Sequence, residues 1–318
     1  MKTLLRLFAL LLALLLSGCT GLHSCLHADE PDAIDAERNA LWEKLLLQRP
    51  ETAPVRDPAL TVVFIDVGQG DCTLLIAPDG KTMLVDAGPA GSLAKIAEVT
   101  KRFGVDALDA VIATHPHEDH IGAMADVLNA YAVGAFYTID AEYPSDAFTA
   151  MQTALLESGC SVTYCDTLRT IPWSDVCTVT VLNPTDRYDM PDDLNEASAV
   201  VRVQYRNTAV LLTGDAGETA ETRMLDTFPR SMLKADVLKL GHHGSRYSTS
   251  YSFFLAVDPD FAVASCGAGN EYGHPHLDTM TLLYDTRTAF YRTDSDGTIM
   301  ILLDGTDVSV ETTRKELP

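Results

Sequence analysis

Between His115 and His120 the chain sets three histidines and two acidic residues into six positions, as His115-x-His117-x-Asp119-His120. Imidazole and carboxylate are donors for zinc, and also for manganese or iron. In extended backbone, residues two apart point the same way, so His115 and His117 can share one ion. If a helix starts near Asp119, that carboxylate and His120 turn towards a neighbouring position. The spacing therefore suits two adjacent ions, with one pair of ligands for each. A polar loop in which Asp119 merely caps a helix is the plainer alternative. Seven of the nine histidines fall in three such short segments. The other two segments are "GHHGS", with His242 and His243, and "YGHPH", with His274 and His276. His23 and His27 stand apart, near the N-terminus.

Each segment follows or borders an apolar run of strand character, the place where an α/β fold presents its functional edge. Strands are predicted over Leu60–Val67, Cys72–Ala77, Thr82–Val85 and Ala110–Ala113. Later ones are predicted over Thr178–Leu182, Ala199–Tyr205, Ala209–Leu212, Val237–Leu240, Phe261–Ser265 and Thr298–Leu303. Helical periodicity covers Ser92–Phe103 and stretches near 119–130, 145–157, 216–227 and 277–285. Strands alternating with helices predict an α/β sandwich, its polar loops gathered at one strand edge.

The chain has 318 residues with a formal net charge of -22. Such an acidic surface repels a nucleic-acid backbone unless metal ions or a local basic strip overcome the field. It argues against a passive DNA-binding module, but not against an enzyme that holds phosphate through metals. Lys2 and Arg6 lead into an apolar run too short to span a bilayer comfortably, which ends in "LSGC" at Cys19. That pattern resembles a bacterial lipoprotein signal. It implies removal of residues 1–18, lipidation of Cys19 and a membrane anchor on the outer face of the cytoplasmic membrane. A plain secretory signal or an uncleaved anchor is the alternative. Residues 19–58 read as a tether holding a short helix, with Leu41, Trp42, Leu45 and Leu46 on one side, and 59–318 as the compact domain. Of the seven cysteines, Cys160, Cys165 and Cys177 lie close enough for a local bridge; buried free thiols fit equally well.

The His115–His120 segment resembles the hallmark of the metallo-β-lactamase superfamily. One branch is closer still. "FIDVGQGDCTLLIAPDGKTMLVDAG", "ATHPHEDHIGA", "VLLTGDA", "ADVLKLGHHGS", "YGHPH" and "YRTDSDGTI" look like the C-terminal metallo-hydrolase domain of ComEC-type competence proteins, which take up DNA. The likeness covers roughly residues 60–304 in the same order. It implies a four-layer αβ/βα metallo-β-lactamase sandwich and two divalent metal ions, zinc first and manganese next. His115 and His117 would hold the first ion, and Asp119 and His120 the second. Asp215 would bridge both, and His242 would complete the second site, with His243 as the competing candidate. Asp86 would orient a ligand histidine. Many members supply a further histidine to the first ion, whereas here no histidine occurs between Ile121 and Gly241. The branch has an Asn-x-x-Ser element instead, matched by Asn195 and Ser198.

The resulting expectation is a dinuclear metal-dependent hydrolase, a phosphodiesterase or nuclease in which two ions lower the pKa of a shared water and stabilise anionic oxygens. Asp119 serves the chemistry as well as the metal, and His274 and His276 contact phosphate or protonate a leaving group. The partner is a phosphodiester or other anionic substrate, DNA included. Two other readings stand: hydrolysis of a cell-envelope phosphoester, and a metal-binding DNA-uptake accessory protein with little turnover.

Overall fold

The computed structural model describes residues 31–52, 55–184 and 191–314. The signal and lipidation expectations, Cys19 included, lie outside the described residues. Two sheets carry the fold. The first runs β15 (Val308–Thr312), β14 (Ile299–Leu303), β1 (Leu60–Phe64), β2 (Thr73–Ile76), β3 (Thr82–Val85), β4 (Ala107–Ala113), β5 (Ala132–Thr138) and β6 (Ser161–Tyr164). The second runs β13 (Ala289–Arg292), β12 (Phe261–Ala264), β11 (Val237–Lys239), β10 (Thr208–Leu212), β9 (Val200–Tyr205), β8 (Cys177–Asn183) and β7 (Thr170–Ile171).

Alternation along the strands builds the layers. In β1, Leu60, Val62 and Phe64 face a central core shared with Val179, Val181, Val201 and Val203 of the other sheet. Val63, with Ile65 beyond the strand, points to the opposite face. That face packs Ile96 of α2 (Leu93–Arg102), Met124 and Val127 of α4 (Met124–Ala130), and Met151 and Leu155 of α5 (Asp146–Ser158). The outer face of the second sheet packs Met224 of α6 (Glu218–Thr227), Phe253 of α8 (Tyr251–Val257) and Met280 of α9 (Leu277–Thr286). Three apolar interiors separated by two sheets make four layers, the predicted sandwich. Short helices α3 (Glu118–Ile121), α7 (Arg230–Leu233) and α10 (Thr293–Asp296) complete the turns.

The predicted tether differs where it is described. Helix α1 (Pro31–Leu46) lies on the domain, against α9 and β13. Leu45 is fully buried in the second-sheet core and Trp42 meets Phe290 edge-on. Burial of a leucine alone contributes about 1.5–3 kcal/mol. Just beyond, the Arg49 guanidinium pairs with both carboxylate oxygens of Asp296, at 2.9 and 2.7 Å, and lies over the Trp42 and Tyr291 rings. Arg38 Nη1 donates to the Gly273 carbonyl at 3.0 Å, tying α1 to the "YGHPH" loop. The apolar side of this helix thus has a protein partner, so this part of residues 19–58 is a docked arm. Cys72, Cys160, Cys165, Cys177 and Cys266 are all free thiols.

β3 to β6 run parallel, as do β10 to β13. The C-terminal ends of β3, β4, β10, β11 and β12 therefore lead into Asp86, His115, Asp215, His242 and Ser265 respectively. This gathers every histidine segment at one edge.

Candidate metal centre

Three imidazoles form the inner wall, and each has one ring nitrogen fixed by the protein. Asp86 is the hub. Its Oδ1 accepts from the Thr114 N–H, and its Oδ2 accepts from Thr114 Oγ1 and faces His120 Nδ1, all at 2.8 Å. Because the Thr114 hydroxyl gives its proton to Asp86, its oxygen is left to accept from His115 Nδ1, 3.1 Å away. His243 Nδ1 donates to the Ser265 carbonyl at 2.9 Å and lies 3.2 Å from Asp71 Oδ1. All three rings therefore present Nε2 to the cleft, the arrangement in which an outer partner sets tautomer and aim.

What they face is Asp215, which follows β10 and whose backbone N–H donates to Ser198 Oγ at 3.1 Å. His120 Nε2 is 3.1 Å from Asp215 Oδ1; His243 Nε2 and His115 Nε2 are 3.6 and 3.9 Å from Oδ2. Asp119 Oδ2 is 3.0 Å from His243 Nε2. The outer pair is held less. His117 Nδ1 lies 3.0 Å from His115 Nε2, its ring edge-on to Tyr143. His242 Nε2 reaches Asp215 Oδ2 at 3.7 Å with a third of its side chain exposed.

The two adjacent histidines of "GHHGS" both reach Asp215, because both backbones are left-handed, with φ of 46° at His242 and 58° at His243. The two residues that the sequence offers as competing candidates thus face the same carboxylate. Left-handed backbone costs about 1–3 kcal/mol per non-glycine residue and persists where surroundings enforce it. Buried Glu221 of α6 helps enforce it. Its carboxylate accepts from the Thr249 and Ser250 backbone N–H groups, and Thr249 Oγ1 in turn accepts from Gly241 N–H at 3.1 Å. Burial pushes the Glu221 carboxyl up to about 7.

Gly70 closes the far side, with φ +138° and the Asp119 carbonyl oxygen in the space that a Cβ would need. Asp71 N–H donates to that same carbonyl at 3.1 Å. Behind it, fully buried Lys239 pairs with Asp71 Oδ2 at 2.8 Å. Lys239 lies in the "ADVLKLGHHGS" segment, where residue type alone gives it no role. A charged residue ending an otherwise apolar strand, three residues before a histidine pair, was the signal. His274 is buried, with its ring 5.5 Å from His242, and lines the cleft. His276 Nδ1 instead accepts from the Arg246 N–H at 3.0 Å. Asn195 sits in the turn before β9, its N–H on Asp193 Oδ1 and its own Oδ1 buried with no hydrogen-bond partner among the described residues. Gln69, Tyr143 and Tyr272 also line the cleft and were not singled out by sequence.

Electrostatics divide the imidazoles. Burial, then His120, pushes His115 well below its ordinary value. Burial also opposes charge on His120 and His243, yet Asp215 and neighbouring carboxylates outweigh it, raising His120 well above the ordinary value and His243 to about 10. Burial likewise opposes ionisation of Asp215, but His120 and His243 hold it well below the usual carboxylate range. The buried carboxylates thus favour positive charge at the point where the ligand atoms converge. Asp71, His120, Asp215 and His243 each offer one donor atom, all within 4.8 Å of one another. His120 Nε2 and Asp215 Oδ1 are buried and face each other at 3.1 Å, with no other hydrogen-bond partner among the described residues, so both are directed at the point where a cation would sit. The donor set fits divalent metal.

Residues 65–268 match the model of the Metallo-beta-lactamase superfamily. The chain belongs to the metallo-β-lactamase superfamily. Over 264 residues it is 30% identical to ComE operon protein 3 of Bacillus subtilis, a match covering 75% of this chain and 32% of that protein. Recombination protein 2 of Haemophilus influenzae is 31% identical over 249 residues, covering 77% of this chain and 29% of its own length. Competence protein ComA of Neisseria gonorrhoeae is 31% identical over 265 residues, with shares of 81% and 35%. The chain spans about a third of the length of these curated relatives. It is therefore a metallo-β-lactamase-fold chain, similar over about three quarters of its length to part of these proteins, with a candidate cluster for divalent metal.

Proposed function

We propose that the chain is a metal-dependent phosphodiesterase, with DNA or a related nucleotide ester as substrate. The observation that carries this reading is the convergence of His120 Nε2, His243 Nε2, Asp119 and Asp215 on one point, with His115 and His117 alongside. Relatives named for competence and recombination support a phosphodiester over a lactam. On this reading two divalent ions, zinc or manganese, occupy the cleft. His115 and His117 would hold one, Asp119, His120 and His243 the other, and Asp215 would serve both. Bound ions supply positive charge for the phosphate oxygens and a water acidic enough to attack near neutral pH.

The chain's own groups do the rest. Asp86, Thr114, Ser265 and Asp71 keep each inner histidine in the tautomer that offers Nε2. Burial, then His243, pushes His274 down to about 3, so it meets the substrate as a neutral imidazole and donates a hydrogen bond rather than a proton. Export and a lipid anchor at Cys19, on the outer face of the bacterial cytoplasmic membrane, complete the proposal. The anchor is supported by "LSGC" after a short apolar run.

The test uses protein lacking residues 1–18, loaded with zinc or manganese, on bis(p-nitrophenyl) phosphate, single- and double-stranded DNA and a β-lactam. Hydrolysis of the phosphodiesters is expected. Activity on the lactam alone, or no metal retained under any loading, would overturn the proposal.

A further inference from the structure

Beside the metal cleft lies a second, larger trough of about 650 Å³. Gln69, Asp119 and Tyr272 line both, so a group bound at Asp119 can extend straight into it. Pro89, Ala90, Ala147 and Ala150 give the trough a small, apolar wall that admits a flat ring. The exposed carboxylates of Glu118 and Asp146 also line it and would repel a second phosphate.

Two residues there have one side left without a partner among the described residues. Tyr272 is 58% exposed, and its ring is stacked on His274 with 5.6 Å between centroids and 22° between planes. The imidazole holds one face of the phenol in place and leaves the other for a stacking partner. Gln69 has its Oε1 occupied by the Gly267 N–H at 3.1 Å, which fixes which end of the amide points away. Its Nε2 is buried with no hydrogen-bond partner among the described residues. A fixed aromatic face and an unspent amide donor, on the border of a phosphate-sized cleft, match a heterocycle that carries carbonyl acceptors.

We propose that this trough is a nucleobase subsite: the base of the scissile nucleotide stacks on Tyr272 and accepts a hydrogen bond from Gln69 Nε2. The proposal rests on the phosphodiesterase reading and deepens it, since it assigns the residues that hold the base of the nucleotide ester. The trough takes one base beside one phosphate, and its carboxylates keep a continuing polyanion from following that path.

The experiment has a binding arm and a turnover arm, both on metal-loaded protein. Calorimetric titration compares thymidine 5′-monophosphate with deoxyribose 5-phosphate, which share a phosphate and sugar and differ by the base. Tighter binding of the nucleotide by about ten-fold is expected, the worth of one stacked base. Tyr272→Ala should collapse that ratio towards one, Tyr272→Phe should restore it, and Gln69→Ala should reduce it part-way. In the turnover arm, thymidine 5′-p-nitrophenyl phosphate should have a lower KM than methyl p-nitrophenyl phosphate, and Tyr272→Ala should erase the difference. A purely structural role for Tyr272 would weaken both members of each pair alike, and that result overturns the proposal. So does hydrolysis of both esters with no preference, which would leave the phosphodiesterase reading standing. If neither ester is cleaved and neither probe binds, that reading fails along with the subsite.

Discussion

The inner and outer histidines of the cleft are built on opposite plans. His115, His120 and His243 are buried, and each has its Nδ1 committed to Thr114, Asp86 or Ser265. His117 and His242 are partly exposed, and their ring contacts are to other site residues. The inner row is aimed before anything binds, so little ordering remains to be done on binding. The outer pair has to be ordered by what arrives. Metal affinity should therefore reside in the inner row, and adaptability to substrate in the outer pair.

The strongest way to break this contrast is Asp215→Ala, which removes the carboxylate both rows face. Metal content by mass spectrometry should drop to background, with bis(p-nitrophenyl) phosphate hydrolysis lost alongside; retention of full metal content would sink the site. Next is Lys239→Met, which strands the buried Asp71 charge behind His243. It should destabilise the fold by about 3–5 kcal/mol in urea unfolding. A loss under about 1 kcal/mol would mean that the pair does not brace the inner row.

Glu221 tests the support behind the left-handed histidine pair. Its carboxyl sits at about 7 in the folded protein against an ordinary 4.5. Between those values the folded form keeps a proton that the unfolded chain has released, so stability falls as pH rises from about 5 to about 7 and levels off above. That loss should be of the order of 3 kcal/mol. Glu221→Gln should flatten it, and an unchanged slope in the variant would rule the carboxyl out as its source. A smaller effect sharpens the contrast directly: Asp86→Asn should weaken metal binding by about 10–100-fold. His117→Ala should cost less than that in a competition titration with a chelator, and a larger cost at His117 would reverse the ranking of the two rows.

Much of this was legible in the sequence because period and spacing are local properties. β3 matches its predicted bounds at Thr82–Val85, and β8, β9 and α5 fall within one residue of theirs. The strands passed over have weak local signals. β5 carries Gly134 and exposed positions, and the others, β6, β7, β13 and β15, are the four sheet edges, of which β7 is only two residues long. The histidine segments were visible, but their division of labour was not. Adjacent His242 and His243 reach the same carboxylate only through two successive left-handed residues, and no pattern of residue types encodes that turn. Lys239 looked like the end of an apolar strand, since its partner Asp71 lies far off in sequence and meets it only across the sandwich edge. The α1 segment read as a tether because its apolar face is short; its receptor, β13 with α9, is assembled from the other end of the chain.

That docked arm also sets a distance. If Cys19 carries the lipid, twelve residue steps separate it from Pro31, where α1 begins. Fully extended they span at most about 40 Å. The domain would then work on a short leash with its N-terminal side turned to the bilayer, and Arg38, on the same arm, grips the loop that carries His274. Substrates that reach it would be those confined to the thin layer of envelope next to the membrane, rather than those diffusing freely beyond it.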